Sequence, residues 1–434
     1  MSETRPTFQK KEMAISSTPY VYFPKGTELL AYAVEVTHEN EVDADLLQKA
    51  LDRTITRMPY LSDTLMIEGG AVYYASNPLP MEVGRGVGLR HVGGPETNYH
   101  MLDLTCEGKV TRFAMYHGFC DGQGLSMFME SVLYHYYCMH DGKDYDPCGI
   151  RTDAGTMTEA EEFDPASVQR SVSPDFEMPE RKQQDAYHLP ELTRHLGNDA
   201  RDWGLQVSSE RLMAVVKESG TSPSVFISML LGEAVAATHP DADAPIVANV
   251  PISVRAMLGC DETFKNCSSR ITLPLTGTPL DDLPFAQRAA QMRNILKTQM
   301  NPDIWRATYN MLNGLYAKRM EGATDYWEET KKPSTFTSVS HDTFYIDYIG
   351  RIRKTDYADK IVDVRFICKP PAGNTVHMNV IDHAGKFRID CLACNDITEL
   401  FDAFAQAFAN HGLEVERKPE VRFELPETAW REGY

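Results

Sequence analysis

The stretch Thr111-Arg-Phe-Ala-Met-Tyr-His117-Gly-Phe-Cys-Asp121-Gly122-Gln-Gly124 puts a histidine, a carboxylate and several glycines within one turn of each other. Imidazole titrates near neutral pH, so a histidine held in one rotamer and tautomer suits general-base work. The residues before it predict a strand, and alternation puts Thr111, Phe113, Met115 and His117 on one face. The imidazole is then the polar tip of an otherwise apolar row, at a strand end where it can face a cleft. Gly118, Gly122 and Gly124 predict a tight reversal or positive φ angles. Asp121 has two open destinations, the backbone beside the histidine or a cation on the other lobe. An ordinary reading competes, in which a strand-end histidine is merely hydrogen-bonded and D-G-x-G is a plain turn. Cys120 raises nucleophilic chemistry too, but a thiolate needs its histidine at hydrogen-bond distance, and here both share one short turn.

The elements that must position this stretch are readable from apolar spacing. Glu28 to Thr37 predicts a strand, Asp43 an N-cap, and Leu46, Leu47, Ala50, Leu51 and Ile55 one stripe of a helix ending before Pro59. Ala71 to Ala75 and Val110 to His117 predict strands, and Gln123 to Cys138 a helix whose Leu, Phe, Met and Tyr residues face a core. Beyond residue 190, Ser208 or Ser209 opens a helix, and Ser222-Pro223 starts another. Pro245 to Ile252, Ile361 to Cys368 and Phe387 to Leu392 predict strands of a second lobe, with helices over Phe285 to Met300 and after Asp396. Between the two halves, residues 141–188 are rich in Pro, Gly and acidic residues, which predicts a long loop or linker. The expected division is an N-terminal lobe over 1–190 and a C-terminal lobe over 191–434.

Composition narrows the partners. The 434 residues hold 43 Lys+Arg against 62 Asp+Glu, a formal net charge of −19, which argues against nucleic acid as a partner. No apolar run reaches the roughly 20 residues that cross a bilayer, and Met-Ser-Glu-Thr-Arg does not resemble a secretion signal. With nine scattered cysteines, the expectation is a cytoplasmic protein without membrane insertion. Cys391-Leu-Ala-Cys394 lacks a second ligand pair, and His135 and His140 sit among tyrosines at a helix end, so no metal site is expected.

Tyr116-His117-Gly-Phe-Cys-Asp121-Gly122 resembles the H-H-x-x-x-D-G signature of the chloramphenicol acetyltransferase-like superfamily. That superfamily includes alcohol acetyltransferases, wax ester synthases and the condensation domains of nonribosomal peptide synthetases. Further segments resemble it in order: Val42 to Tyr60 with its Arg57-Met-Pro59 turn, Asn249-Val-Pro251-Ile-Ser-Val-Arg255, Phe264-Lys-Asn266, and Tyr345-Ile-Asp-Tyr348-Ile-Gly350-Arg351. The resemblance covers about residues 28 to 412 and is nearest to the bacterial alcohol acetyltransferase-like branch. It departs at Tyr116, where the signature has its first histidine. Alternation turns residue 116 away from the side of His117, so the tyrosine is expected to tune packing.

The resemblance implies an α/β protein of two chloramphenicol acetyltransferase-like lobes, each a mixed sheet covered by helices, with the active-site tunnel between them. It implies an acyltransferase, with His117 as base for an alcohol or amine that attacks a thioester and with no covalent acyl-enzyme. No cofactor is expected to be tightly bound; acyl-CoA or a phosphopantetheine thioester is the co-substrate, and an acyl carrier protein is the alternative donor partner. Asp121 is implied as structural, orienting the motif through an arginine, with Arg255 the first candidate partner and Arg270 the second. Gly122 is expected to matter for its backbone angles. Asn266, Tyr348, Gly350 and Lys265 are the tunnel or donor-binding candidates, and Arg255, Lys265, Arg270, Lys318 and Arg319 the basic rim for coenzyme A phosphates. The competing functions are a stand-alone condensation-like domain and a binding protein that kept the fold and lost the chemistry.

Overall fold

A computed structural model describes residues 9–11, 17, 31–68, 71–86, 88, 90–165, 172–173, 175–178, 186–189, 199–325, 328–329, 342–368, 376–393 and 396–424. Its strands are β1 (Gln9–Lys11), β2 (Ala31–His38), β3 (Thr64–Glu68), β4 (Ala71–Ser76), β5 (Gly84–Arg85), β6 (Leu102–Glu107), β7 (Val110–Tyr116) and β8 (Asp199–Ser208). They continue as β9 (Val247–Ser253), β10 (Ser268–Pro274), β11 (Phe344–Arg351), β12 (Ile361–Cys368), β13 (His377–His383), β14 (Lys386–Ala393), β15 (Val415–Arg417) and β16 (Val421–Glu424). The helices are α1 (Ala44–Arg57), α2 (Gly122–Asp141), α3 (Ser209–Glu218), α4 (Pro223–Thr238), α5 (Arg255–Leu258), α6 (Phe285–Gln299), α7 (Pro302–Met320) and α8 (Thr398–Asn410).

The first lobe is built on a five-stranded sheet in the order β12-β2-β7-β6-β5. α1 starts where Asp43 accepts from the backbone N–H groups of Asp45 and Leu46, which satisfies two of the donors a helix start leaves open. Its buried Leu47, Ala50 and Leu51 share one core with Leu125, Phe128 and Val132 of α2 and with Val34, Phe113 and Met115 of the sheet. β1, β4 and β3 form a small side sheet. The second lobe carries an eight-stranded sheet in the order β10-β9-β11-β13-β14-β8-β15, with β16 also on β8. Phe226, Leu230 and Leu231 of α4 and Phe401, Phe404 and Phe408 of α8 pack on it as a separate core. The molecule is thus a mixed α/β protein of two lobes.

Two features depart from the sequence reading. β12 was expected in the second lobe, yet it pairs antiparallel with β2 and closes the first lobe's sheet. Ion pairs reinforce the exchange: Arg365 of β12 reaches Glu35 of β2 at 2.7 Å and Asp202 of β8 at 3.0 Å, so one guanidinium joins three strands. The stretch expected as a long loop or linker is irregular where it is described up to residue 165, but it is pinned at Glu161. Glu161 is buried and accepts from Arg57 at 2.8 and 3.1 Å and from Tyr60 at 2.7 Å. Its backbone carbonyl takes the N–H of Phe264 at 3.0 Å, and Tyr60 stacks on the Phe264 ring. The Arg57-Met-Pro59 turn is thereby fastened to the Phe264-Lys-Asn266 segment of the second lobe. Glu28 to Leu30, Cys394 and the remainder of the expected linker, apart from the few residues named above, lie outside the described residues.

Candidate active site

β7 runs into α2 through the turn 117–121, and Asp121 is the N-cap of that helix. Its Oδ1 accepts the N–H of Gly124 at 3.0 Å, and its Oδ2 accepts the N–H of Cys267 at 2.8 Å. Arg255, wholly buried, donates from Nη1 to Oδ2 at 2.7 Å and from Nη2 to Oδ1 at 2.8 Å. The guanidinium is oriented in turn by the carbonyls of Thr263 at 3.1 Å and Lys265 at 2.7 Å. Burial alone would raise the Asp121 pKa, but the Arg255 charge and the two N–H donors outweigh it and hold the carboxyl below its ordinary value. Both oxygens are committed to the turn and to the second lobe, so Asp121 fixes where the turn sits and Arg255 is the fastening.

His117 hangs from that turn at the junction of the lobes, nine-tenths buried. Its Nδ1 lies 3.2 Å from the Cys120 carbonyl and 3.0 Å from Asn266 Nδ2. Asn266 Oδ1 accepts the Ser268 N–H at 3.0 Å, which settles the amide orientation, and Nδ2 donates to the His117 carbonyl at 3.0 Å. Nδ1 thus faces an acceptor in the Cys120 carbonyl and a donor in Asn266 Nδ2; because Nδ2 has the His117 carbonyl to donate to, we assign the ring proton to Nδ1, facing Cys120, and the lone pair to Nε2. Burial lowers the imidazole pKa and the Asp121 charge opposes this only in part, so the ring is neutral at neutral pH. The edge of Tyr32 from β2 meets the ring at a centroid distance of 4.3 Å.

The glycines divide differently from the sequence expectation. Neither Gly118, Gly122 nor Gly124 has a positive φ. Gly122 is simply the first residue of α2, and a Cβ there would meet Ile349 at an ordinary 3.6 Å. The constraint falls on Gly124, where a Cβ would collide with the Phe264 carbonyl and lie 2.7 Å from Cys120 Cβ. Gly118 is covered by the ring of Tyr116, which is buried in the first lobe's core and leaves the His117 contacts intact. Burial and then Asp121 push the Cys120 thiol pKa well up, and its Sγ points to Met115 Sδ, which disfavours the thiolate a nucleophile needs.

The remaining candidates do not gather into one site. Arg270 is half-exposed on the edge strand β10, 3.8 Å from Asp342, and does not reach Asp121. Lys265 shares a small cavity with Lys11, Asp63 and Glu162; burial lowers its pKa and these carboxylates, with Asp164, oppose it. Lys318 is exposed on α7, and the Arg319 side chain lies outside the described residues. Among the described residues the expected basic rim is not assembled, since Arg255 is buried and spent on Asp121. Tyr348 packs toward the second lobe's core beside Phe387, and Gly350 takes φ 110° at a bulge of β11. The opposite face of β11, with Tyr345, Asp347 and Ile349, is the one turned to the first lobe, where Ile349 packs. The parity of Phe344 and Ile346, both core residues, was the signal that could have located it.

Solved structures share this architecture over almost the whole chain. TRI101 of F. sporotrichioides, complexed with coenzyme A and T-2, superposes with a TM-score of 0.61 at 13% identity, covering 94% of this chain and 100% of that one. Polyketide synthase associated protein 5 from Mycobacterium tuberculosis gives 0.60 at 12%, covering 92% and 97%. The first condensation domain of the calcium-dependent antibiotic synthetase, in complex with a substrate analogue, gives 0.60 at 14%, covering 94% and 96%. No protein-family model and no curated protein matches the chain in sequence. At such identities the likeness establishes the fold, which is the two-lobed chloramphenicol acetyltransferase-like one.

Proposed function

We propose that the protein is an acyltransferase that moves an acyl group from a thioester donor to an alcohol or amine, with His117 as the general base. The observation that supports this most is the neutral imidazole at the lobe junction, with its Nδ1 against the Cys120 carbonyl and its backbone carbonyl held by Asn266, on a turn fastened through Asp121 and Arg255. The acceptor's O–H or N–H proton passes to Nε2 as its oxygen or nitrogen bonds to the thioester carbonyl carbon. Collapse of the tetrahedral adduct breaks the C–S bond, and Nε2 returns the proton to the departing sulfur. A base of this kind contributes about 10²–10⁴-fold, and holding donor and acceptor in line supplies much of the rest. Neither step needs an acyl-enzyme or a tightly bound cofactor.

A net charge of −19 opposes the docking of an acidic carrier protein and the approach of the coenzyme A phosphates alike, so charge does not choose between the two donors. We take coenzyme A as the donor form because TRI101 of F. sporotrichioides, which shares this fold, is complexed with it. The experiment offers a panel of acyl-coenzyme A donors with pooled alcohols and amines and follows free thiol for wild type and His117→Ala. Release by wild type alone supports the assignment; equal release by both removes His117 from it, and none from either turns the reading toward a binding protein.

A further inference from the structure

The face of the second lobe's sheet that looks at the first lobe carries a polar group which the transfer chemistry above does not use. In the parallel pair of β11 and β13, Tyr345 lies beside His377 and Asp347 beside Asn379. All four occupy the face away from the core residues Ile346, Met378 and Val380, and their neighbours Ile349 and Ile381 pack against the first lobe. Asp347 Oδ2 is 4.0 Å from His377 Nε2, and the Asp347 side chain keeps 23% of its surface exposed. No Lys or Arg among the described residues forms an ion pair with Asp347. His377 Nε2 and Asn379 Oδ1 are buried without a hydrogen-bond partner among the described residues. The ring of Tyr32 stands between this group and the catalytic candidate, 4.3 Å from His117 and 6.5 Å from His377 by centroid.

An accessible carboxylate without a cation stands beside a buried imidazole nitrogen and a buried amide oxygen that have no partner among the described residues, a setting that favours a ligand bringing hydrogen-bond donors and positive charge. Buried polar atoms left in that state are costly, and several of them on one face suit an occupant that pairs them. Cys368 Sγ lies 3.4 Å from His377 Nδ1, which leaves Nε2 to face Asp347. An alkylammonium supplies what is missing, with three N–H donors and one positive charge. The rings of Tyr32 and Tyr345 around His377 add faces that attract a cation.

We propose that Asp347, His377 and Asn379 form the acceptor-recognition subsite, and that the acceptor carries a protonated amine at one end and its nucleophilic hydroxyl or amine at the other, beside His117. The inference rests on the acyltransferase reading for what happens at the second end, but not for the binding of the first. Without such a ligand, burial and then the Asp121 charge push the Asp347 pKa up to about 7, while burial takes His377 down to about 3. A bound ammonium favours the ionised Asp347 and donates to Asn379 Oδ1, and to His377 Nε2 when the ring proton sits on Nδ1.

Two measurements test it. Linear amino alcohols are compared as acceptors with the diols and alkanols of equal length, for wild type, Asp347→Asn and Asn379→Leu. The expected wild-type preference for the amino alcohol is about tenfold or more in kcat/KM, carried by KM; Asp347→Asn erases the ratio and Asn379→Leu reduces it. Calorimetric binding of the diamine cadaverine is measured in parallel on wild type, Asp347→Asn and His117→Ala. Binding that survives His117→Ala and is lost in Asp347→Asn supports the subsite even if no donor is ever turned over. Equal use of charged and neutral acceptors, or cadaverine binding indifferent to Asp347, overturns it.

Discussion

Asp121 and Arg255 stand 134 positions apart in the chain and meet through paired hydrogen bonds of 2.7 and 2.8 Å in the buried seam between the lobes. Removing one partner strands the other's charge away from water. Asp121→Asn or Arg255→Met alone is therefore expected to cost about 3–5 kcal/mol, whereas a volume-matched apolar pair should cost less than either. Chemical denaturation of the two singles and the double variant checks this, and a double variant worse than both singles contradicts it.

The same pair has a pH signature. Asp121 has a folded pKa below its unfolded value, so its contribution is present above the unfolded carboxylate range and is lost as pH falls through the folded pKa. Wild type should lose stability on acidification below about pH 4. The variant without Asp121 should lose less over that interval, and parallel losses in the two would remove Asp121 from the acid transition.

For His117, burial places the imidazole pKa below its ordinary value. The base is then already neutral at neutral pH, and kcat/KM should stay flat down to below the usual histidine range before falling as Nε2 gains a proton. His117→Ala should lower turnover by about 10²–10⁴-fold. Nitrogen chemical shifts of the ring provide an independent check, since a proton on Nε2 in the resting enzyme contradicts the assigned tautomer.

Gly122→Ala should fold normally and be neutral to about 1 kcal/mol more stable, because the added methyl meets only Ile349 and the position is helical. Gly124→Ala should cost about 1–3 kcal/mol or more, because the Phe264 carbonyl and Cys120 occupy the space. Thermal melts of both variants decide, and equal tolerance would mean that α2 can shift away from the second lobe.

Alkylation should distinguish the cysteines. Cys148 is exposed, whereas Cys120 is buried with its pKa pushed well up. Peptide mapping after brief iodoacetamide treatment of the native protein is expected to find Cys148 modified and Cys120 untouched. Rapid labelling of Cys120 with loss of activity would reopen the cysteine mechanism.

Much of the framework was legible because it rests on local chemistry. Asp43 before an apolar stripe announced α1, and alternation through Phe113 and Met115 announced β7 and put His117 at its end. What stayed hidden depended on residues brought in from elsewhere. The demand for glycine at position 124 and not 122 comes from a carbonyl 140 residues on, which no local pattern carries. Acid-rich composition marked 141–188 as a loop, yet it could not show that Glu161 would be buried between Arg57, Tyr60 and Arg151. Tyr348 entered as a tunnel candidate through the resemblance of its segment, yet it shares a face with the core residues Phe344 and Ile346 and packs beside Phe387. Period two identifies a strand but not the sheet it joins, which is why β12 was assigned to the wrong lobe.

That exchanged strand also sets an order of events during synthesis. β2 is made early, but the strand that covers its outer edge is made more than 300 residues later, as the 330-residue span from Glu35 to Arg365 records. Until then the nascent chain presents a row of open amide and carbonyl groups, the kind of edge that recruits stray strands. The first lobe's sheet is therefore completed only once Ile361–Cys368 has emerged, which ties its maturation to synthesis of the second half.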